Sequence, residues 1–523
     1  MNPVITGEKQ SLSPSQRRER HEERLKKIQA LLLNKVENCD WHHFEIDLNR
    51  AAAQPLAWKT EQRADILDLM IQEVGDSGKY ELRSETGEAL SSLTREGQES
   101  QQKVMEELIL GWILNYLKDG DTSIRDIIRR IFDTNDTGIH NNSEADEGDL
   151  GIFNEKDRKR RNKQFFNAMN KGFRKPENPQ NVVILAEGDS WFEFPRVSLK
   201  KIRMPFIKWD PVRDIVDQLM DVPRLIKGRK SAHNLNPKGR EFAIKSLAAG
   251  GDWLSNMIHG AEYIEELRAV SPDVFLFSGG GNDLLGDNRL AALVRDRNHE
   301  GQLQIDADKL ENNPDRYIRA LLAKRLTQRN RPHFEREKYL RGLSWLRKDF
   351  FQVLSLSMAQ YFLLVSEITN LDKYKNLLMI TQGYDAPIPS NKKGPWWNPL
   401  KWIVNKSLDS GKWLYQPLMM KGVTDPEDQK AIIYTMIFEF NEMLIQLAEY
   451  QHFPNFFHID CRGVGKEENA WFDEIHLKNS YNADIAYTFF KCIDENMPEK
   501  NPSGSRTLKP KQKVYRVLDY PRD

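Results

Sequence analysis

A chain of 523 residues is longer than one ordinary hydrophobic core organises, so two to four domains, or one domain with large insertions, are expected. Lys+Arg and Asp+Glu balance at 77 each, which removes any global electrostatic reason for nucleic acid or an anionic membrane surface as partner. With 29% charged and 39% hydrophobic residues, the composition is that of a soluble protein with well-solvated faces.

The opening MNPVITGEKQSLSPSQRRER lacks the apolar core of a secretory signal. No later stretch reaches the roughly 18 uninterrupted apolar residues of a transmembrane segment. The expected compartment is the cytoplasm, with signal-independent export left open. Cys39, Cys461 and Cys492 are odd in number and far apart, which is no disulfide framework, and neither HExxH nor zinc-spaced Cys/His pairs occur.

In chain order, Leu25, Ile28, Leu31 and Leu32 recur at helical intervals within 16–36. Similar patterns predict helices over Glu61 to Val74, through Val104, Leu108, Trp112 and Ile113 to about Leu117, and around Ile124 to Phe132. Residues 1–150 therefore read as a mainly helical region of unknown role, which leaves a protein partner or self-association through it open. The polar, acidic run Asp133 to Asp149 reads as a boundary, with 151–180 as linker.

From Asn181 short apolar runs alternate with helical stretches, the texture of an α/β domain with a parallel sheet. The runs are Val182–Ala186, Phe242–Leu247, Val274–Phe277, Leu377–Ile380 and Phe456–Ile459. Five such strands predict a flavodoxin-like three-layer domain over 181–497. Insertions fall near 196–245, 286–361 and 391–424, and 498–523 is read as a tail. Asp425 before Pro426 predicts a capped helix running to about Tyr450, between the fourth and fifth strands.

Chemistry-bearing residues gather where these strands end. VVILAEGDSWF sets Asp189 and Ser190 just past a buried strand, at the crevice side of an open parallel sheet. LAAGGDWLSNM places Gly250, Gly251 and Asp252 after the next strand, where a glycine N–H can approach an oxyanion. DVFLFSGGGNDLLG runs a strand into Gly279, Gly280, Gly281, Asn282 and Asp283. It lacks both the GxGxxG spacing and a Walker lysine. AWFDEIHL spaces Asp473 and His476 so that a carboxylate can orient an imidazole. Singly, each is an ordinary cap or turn; together they fall at one rim of one sheet.

In this order GDSW, AGGD, GGND and DEIH resemble the four blocks of the SGNH (GDSL-like) hydrolase superfamily, which carry Ser, Gly, Asn and His. The resemblance spans roughly Asn181 to Asn496 and departs from the name-giving motif at Trp191, where leucine is usual. It implies a cofactor-free and metal-free serine ester hydrolase, esterase- or lipase-like. Ser190 would be nucleophile, His476 general base and Asp473 its orienting carboxylate. The Ser190 and Gly251 backbone N–H groups and the Asn282 amide would form the oxyanion hole, Gly251 being preferred to Gly250, with Gly280 and Asp189 in the substrate-facing set. LLMITQGYDAPIP and HIDCRGVG resemble the later strand ends of a bacterial subgroup, which puts Tyr384 and Asp385 near the crevice. The alternative is a catalytically unused domain of the same kind, serving as a binding or assembly module.

Residues 196–245 hold thirteen Lys/Arg against five Asp/Glu, which suits either an anionic or lipid-like ester or a salt-bridged surface. Residues 391–420 collect Trp396, Trp397, Trp402, Trp413 and Tyr415 among lysines, a composition for a lid over an apolar substrate or for packing against a neighbouring region.

Overall fold

A computed structural model describes Lys26, residues 71–73 and 80–82, and then 158–193, 213–227, 236, 238–286, 289–313, 316–327, 334–390, 413–497 and 512–520. The chain divides into two compact units, Met1–Thr137 and Gly138–Asp523. In the first, β1 (Ile71–Glu73) pairs antiparallel with β2 (Tyr80–Leu82), Ile71 opposite Leu82 and Glu73 opposite Tyr80. The helix expected through Val74 is thus overturned at its end, where Ile71 begins a strand; Lys26 is helical as expected. The remaining helices expected before residue 150 lie outside the described residues.

The second unit is α/β, built on one parallel sheet of six strands. These are β3 (Val182–Gly188), β4 (Phe242–Ser246), β5 (Val274–Ser278), β6 (Leu378–Gln382), β7 (Phe456–Asp460) and β8 (Val514–Arg516), in the order β4-β3-β5-β6-β7-β8. The chain steps from β3 outward to β4, then returns across β3 to β5, so the direction of winding reverses between β3 and β5. That reversal opens a crevice at the carboxyl ends of these two strands, where crossover connections leave in opposite directions.

β3, β5, β6 and β7 are buried along their whole length, covered on both faces, and mainly apolar. The helices are α1 (158–170), α2 (Ile215–Lys227), α3 (Leu254–Gly260), α4 (Glu262–Val270), α5 (Gly281–Leu285), α6 (Arg289–Leu293), α7 (Arg316–Thr327), α8 (Arg336–Leu343), α9 (Lys348–Thr369), α10 (Tyr415–Met420), α11 (Pro426–Glu449) and α12 (Asn479–Asn496). On one face Phe275 and Phe277 meet Tyr263 of α4 and Tyr361 of α9, at 5.7 and 5.3 Å between ring centres. On the other, Phe242 meets Phe490 of α12 at 5.8 Å.

Asp425 caps α11 by accepting from the Glu427 N–H at 2.9 Å, with Pro426 as the first helical residue. Both α9 and α11 are long and apolar enough to cross a membrane by composition, yet 61% and 94% of their apolar windows are buried within the protein. They serve here as core helices. Buried Arg325 of α7 donates to Glu439 and Glu442 of α11, at 2.5 and 3.3 Å, and so fixes the helical insertion α7–α8 to the domain.

Two expectations are corrected. Residues 158–170, read as linker, form α1: Phe165 packs on Val183 and Ala243, and Asn162 exchanges hydrogen bonds with both the N–H and C=O of Ser246. This covers the otherwise open edge of β4. Buried Arg161 joins α1 to Asp214, Asp217 and Glu193; the basic run around it disguised a buried face. The tail supplies a sixth strand beyond the five expected, with Tyr515 fully buried beside β7. A strand of three residues is too short to register as an apolar run.

Candidate active site

β3 is buried along its whole length and delivers Asp189 and Ser190 to the crevice between β3 and β5. Asp189 is buried and anchored from three elements. Its N–H donates to the Ser278 carbonyl at 2.9 Å, and its carboxylate accepts from the Trp191 N–H at 3.1 Å, from Ser278 Oγ at 3.4 Å and from the Tyr384 hydroxyl. Burial pushes this carboxyl up to about 6, against the pull of its hydrogen bonds and of His476. The Tyr384 hydroxyl also accepts from the Gly281 N–H at 3.2 Å. One phenol thereby ties the Ser190 turn to the Asn282 turn, and Ser190 itself is half-buried.

The triple glycine meets a packing constraint. A Cβ on Gly280, whose φ is +102°, would stand 2.7 Å from the Phe440 ring, and one on Gly281 would stand 2.9 Å from Tyr384. These glycines admit aromatic side chains of the protein close to the backbone, and at Gly280 only glycine adopts that φ without strain. Gly280 therefore has a packing reason to be glycine. Asn282 donates to the Asp252 carbonyl at 2.8 Å, which uses one of its two amide hydrogens. Asp283 accepts from the Leu254 N–H at 2.8 Å, so the GGND and AGGD turns are stitched together. Gly251, with φ of +85°, is exposed at the tip of its turn.

Asp473 and His476 lie in the loop before α12. Asp473 Oδ1 accepts from the backbone N–H groups of Ile475 and His476 at 2.9 and 2.7 Å, while Oδ2 stands 2.8 Å from His476 Nδ1. Burial alone would raise the Asp473 carboxyl; the His476 charge and these hydrogen bonds outweigh it and hold it below its ordinary value. The carboxylate is therefore ionised and fixes the imidazole through Nδ1.

A narrow cavity of about 30 Å³ joins these turns. Its walls include Asp189, Ser190, Asn282 and Ile475, closed by Trp191, Leu285, Pro387 and Trp413. Ser190, Asn282 and the neighbour of His476 thus share one space, and His476 is near enough to Asp189 to shift its titration. Gly251 is not among the cavity walls. Among the described residues no cluster of three or more His, Cys, Asp or Glu side chains forms a metal-binding group.

Four cations of the basic segment form ion pairs: Arg213 with Asp221, Lys238 and Arg240 with Asp494, and Lys245 with Glu266. Residues 196–212 and 228–235 of this segment lie outside the described residues, as do 391–412 of the aromatic segment. Sequence reasoning missed Ser278 and Gln382, which join the network beneath Ser190 through a Gln382 Nε2 to Ser278 Oγ bond of 3.2 Å. The available signal was a polar residue ending an otherwise apolar strand, in VFLFS and LMITQ. It also missed Glu474, which sits unmarked inside the DEIH block. No protein-family model matches the chain, and no curated protein shows significant similarity to it.

Proposed function

We propose that this chain is a serine ester hydrolase of the SGNH type, carried on a flavodoxin-like three-layer domain with an added sixth strand. The observation that supports the reading is the shared cavity: Ser190, Asn282 and Ile475, the residue just before His476, come from three distant parts of the chain and line one space at the winding reversal of the sheet. His476 is already oriented by an ionised carboxylate at 2.8 Å.

In the first step His476 Nε2 takes the Ser190 proton as Ser190 Oγ attacks the ester carbonyl, and Asp473 stabilises the imidazolium that forms. The carbonyl oxygen becomes an oxyanion, held by the Ser190 backbone N–H and the second amide hydrogen of Asn282. Collapse expels the alcohol, which receives the proton from His476. A water molecule, deprotonated by the same imidazole, then releases the acid and restores Ser190. The Tyr384–Asp189–Ser278 network keeps the nucleophile turn in place.

Trp191, Leu285, Pro387, Trp413 and Ile475 make the cavity walls largely apolar, which favours an uncharged acyl group. The test is turnover of p-nitrophenyl esters of graded chain length by the wild type and by Ser190→Ala. Hydrolysis by the wild type that disappears in the variant is expected; hydrolysis that survives the substitution contradicts the assignment.

A further inference from the structure

Glu474 lies between Asp473 and Ile475, is 3% exposed, and has no part in the steps above. Its carboxylate accepts four backbone N–H groups: Tyr415 at 2.8 Å, Trp413 and Leu414 at 3.1 Å each, and Ser390 at 3.3 Å. Oε1 serves Ser390 and Tyr415, and Oε2 serves Trp413 and Leu414. Two stretches far apart in sequence, the loop after β6 and the start of α10, are thus held by one side chain in the turn that carries His476. Those stretches and that turn furnish Pro387, Trp413 and Ile475 to the cavity beside Ser190. Four backbone N–H groups gathered on one buried carboxyl are more than a single cap or crossing requires.

We propose that Glu474 is a positioning residue that sets the acyl-binding space by holding Trp413 against the Asp473–His476 turn, and so determines which acyl groups the enzyme accepts. This rests on the hydrolase reading. Gln at this position keeps the size but has one acceptor oxygen, and its amide hydrogens face donors. Trp413 then loses its fixed place while Ser190, His476 and Asn282 keep theirs.

The experiment compares wild type, Glu474→Gln, Trp413→Ala and the double variant on short and long p-nitrophenyl esters, with active sites counted by a fluorophosphonate so that unfolded protein is not scored as slow enzyme. For short esters Glu474→Gln is expected to raise KM about tenfold while kcat per labelled site changes by less than about threefold. Long esters are expected to lose less. The double variant should match the worse single one, because both substitutions remove the same wall. An unchanged KM, equal loss across chain lengths, or additive effects overturns the role of Glu474 and leaves the hydrolase intact. A wild type without label or turnover overturns the hydrolase reading and this proposal with it. If Glu474→Gln does not fold, Trp413→Ala alone must show the chain-length-selective rise in KM, and its absence also overturns the proposal.

Discussion

Replacing Asp189 by Asn tests the electrostatics beneath the nucleophile. Burial raises this carboxyl from its ordinary 3.8 to about 6, so the folded protein binds a proton that the unfolded chain has released between these values. The stability associated with the proton is complete below pH 3.8 and declines as pH rises through 6. Over roughly two pH units this amounts to about 3 kcal/mol against the ionised wild type at pH 8, and about half of that at pH 5. Asn keeps an acceptor for the Trp191 N–H and carries no charge, so Asp189→Asn should be the more stable protein at pH 8, with an advantage that shrinks on acidification. Glu187 and Glu474, raised by burial to about 8 and about 7, also titrate in this range, so the quantity to measure is the difference between the two proteins. Urea unfolding at half-unit steps from pH 5 to 8 gives it. A difference that does not vary with pH would mean that Asp189 is not the buried, proton-binding group described.

Asn282→Ala should lower kcat about 10²- to 10³-fold, as loss of one oxyanion donor does elsewhere, with urea stability retained to within about 2 kcal/mol for the lost bond to Asp252. Asp473→Asn should leave the fold intact while cutting kcat by roughly 10⁴, because the amide no longer holds the imidazole in the productive tautomer; steady-state rates with a thermal melt separate the two. Tyr515→Ala should destabilise the domain by about 3–5 kcal/mol, since Tyr515 is fully buried and bonded to Asn496 at 2.8 Å. A denaturation midpoint equal to wild type would show that the sixth strand is dispensable.

The parallel sheet was legible in the sequence because strands buried on both faces must be apolar throughout: VVILA, VFLF and FFHI declare themselves, and Asp425-Pro426 marks the start of α11. What escaped reading depends on partners distant in sequence. Arg161 looks like one cation in a solvated basic run until Asp214, Asp217 and Glu193 close around it. β8 owes its place to pairing with β7 rather than to a pattern of its own. At the site, packing partners were not legible. Gly280 follows a strand as an oxyanion loop would, yet Phe440 occupies the space its missing side chain leaves. Glu474 has no local feature to distinguish it, since the four donors it gathers come from Ser390 and from Trp413 to Tyr415.

The central claim is a reactive Ser190 served by His476, and its most direct test is covalent. The intact chain, treated with a fluorophosphonate and digested, should carry the adduct on the peptide containing Ser190, and the label should vanish in Ser190→Ala and fall sharply in His476→Ala. Folded protein that takes no label, or takes it on another residue, would contradict the account.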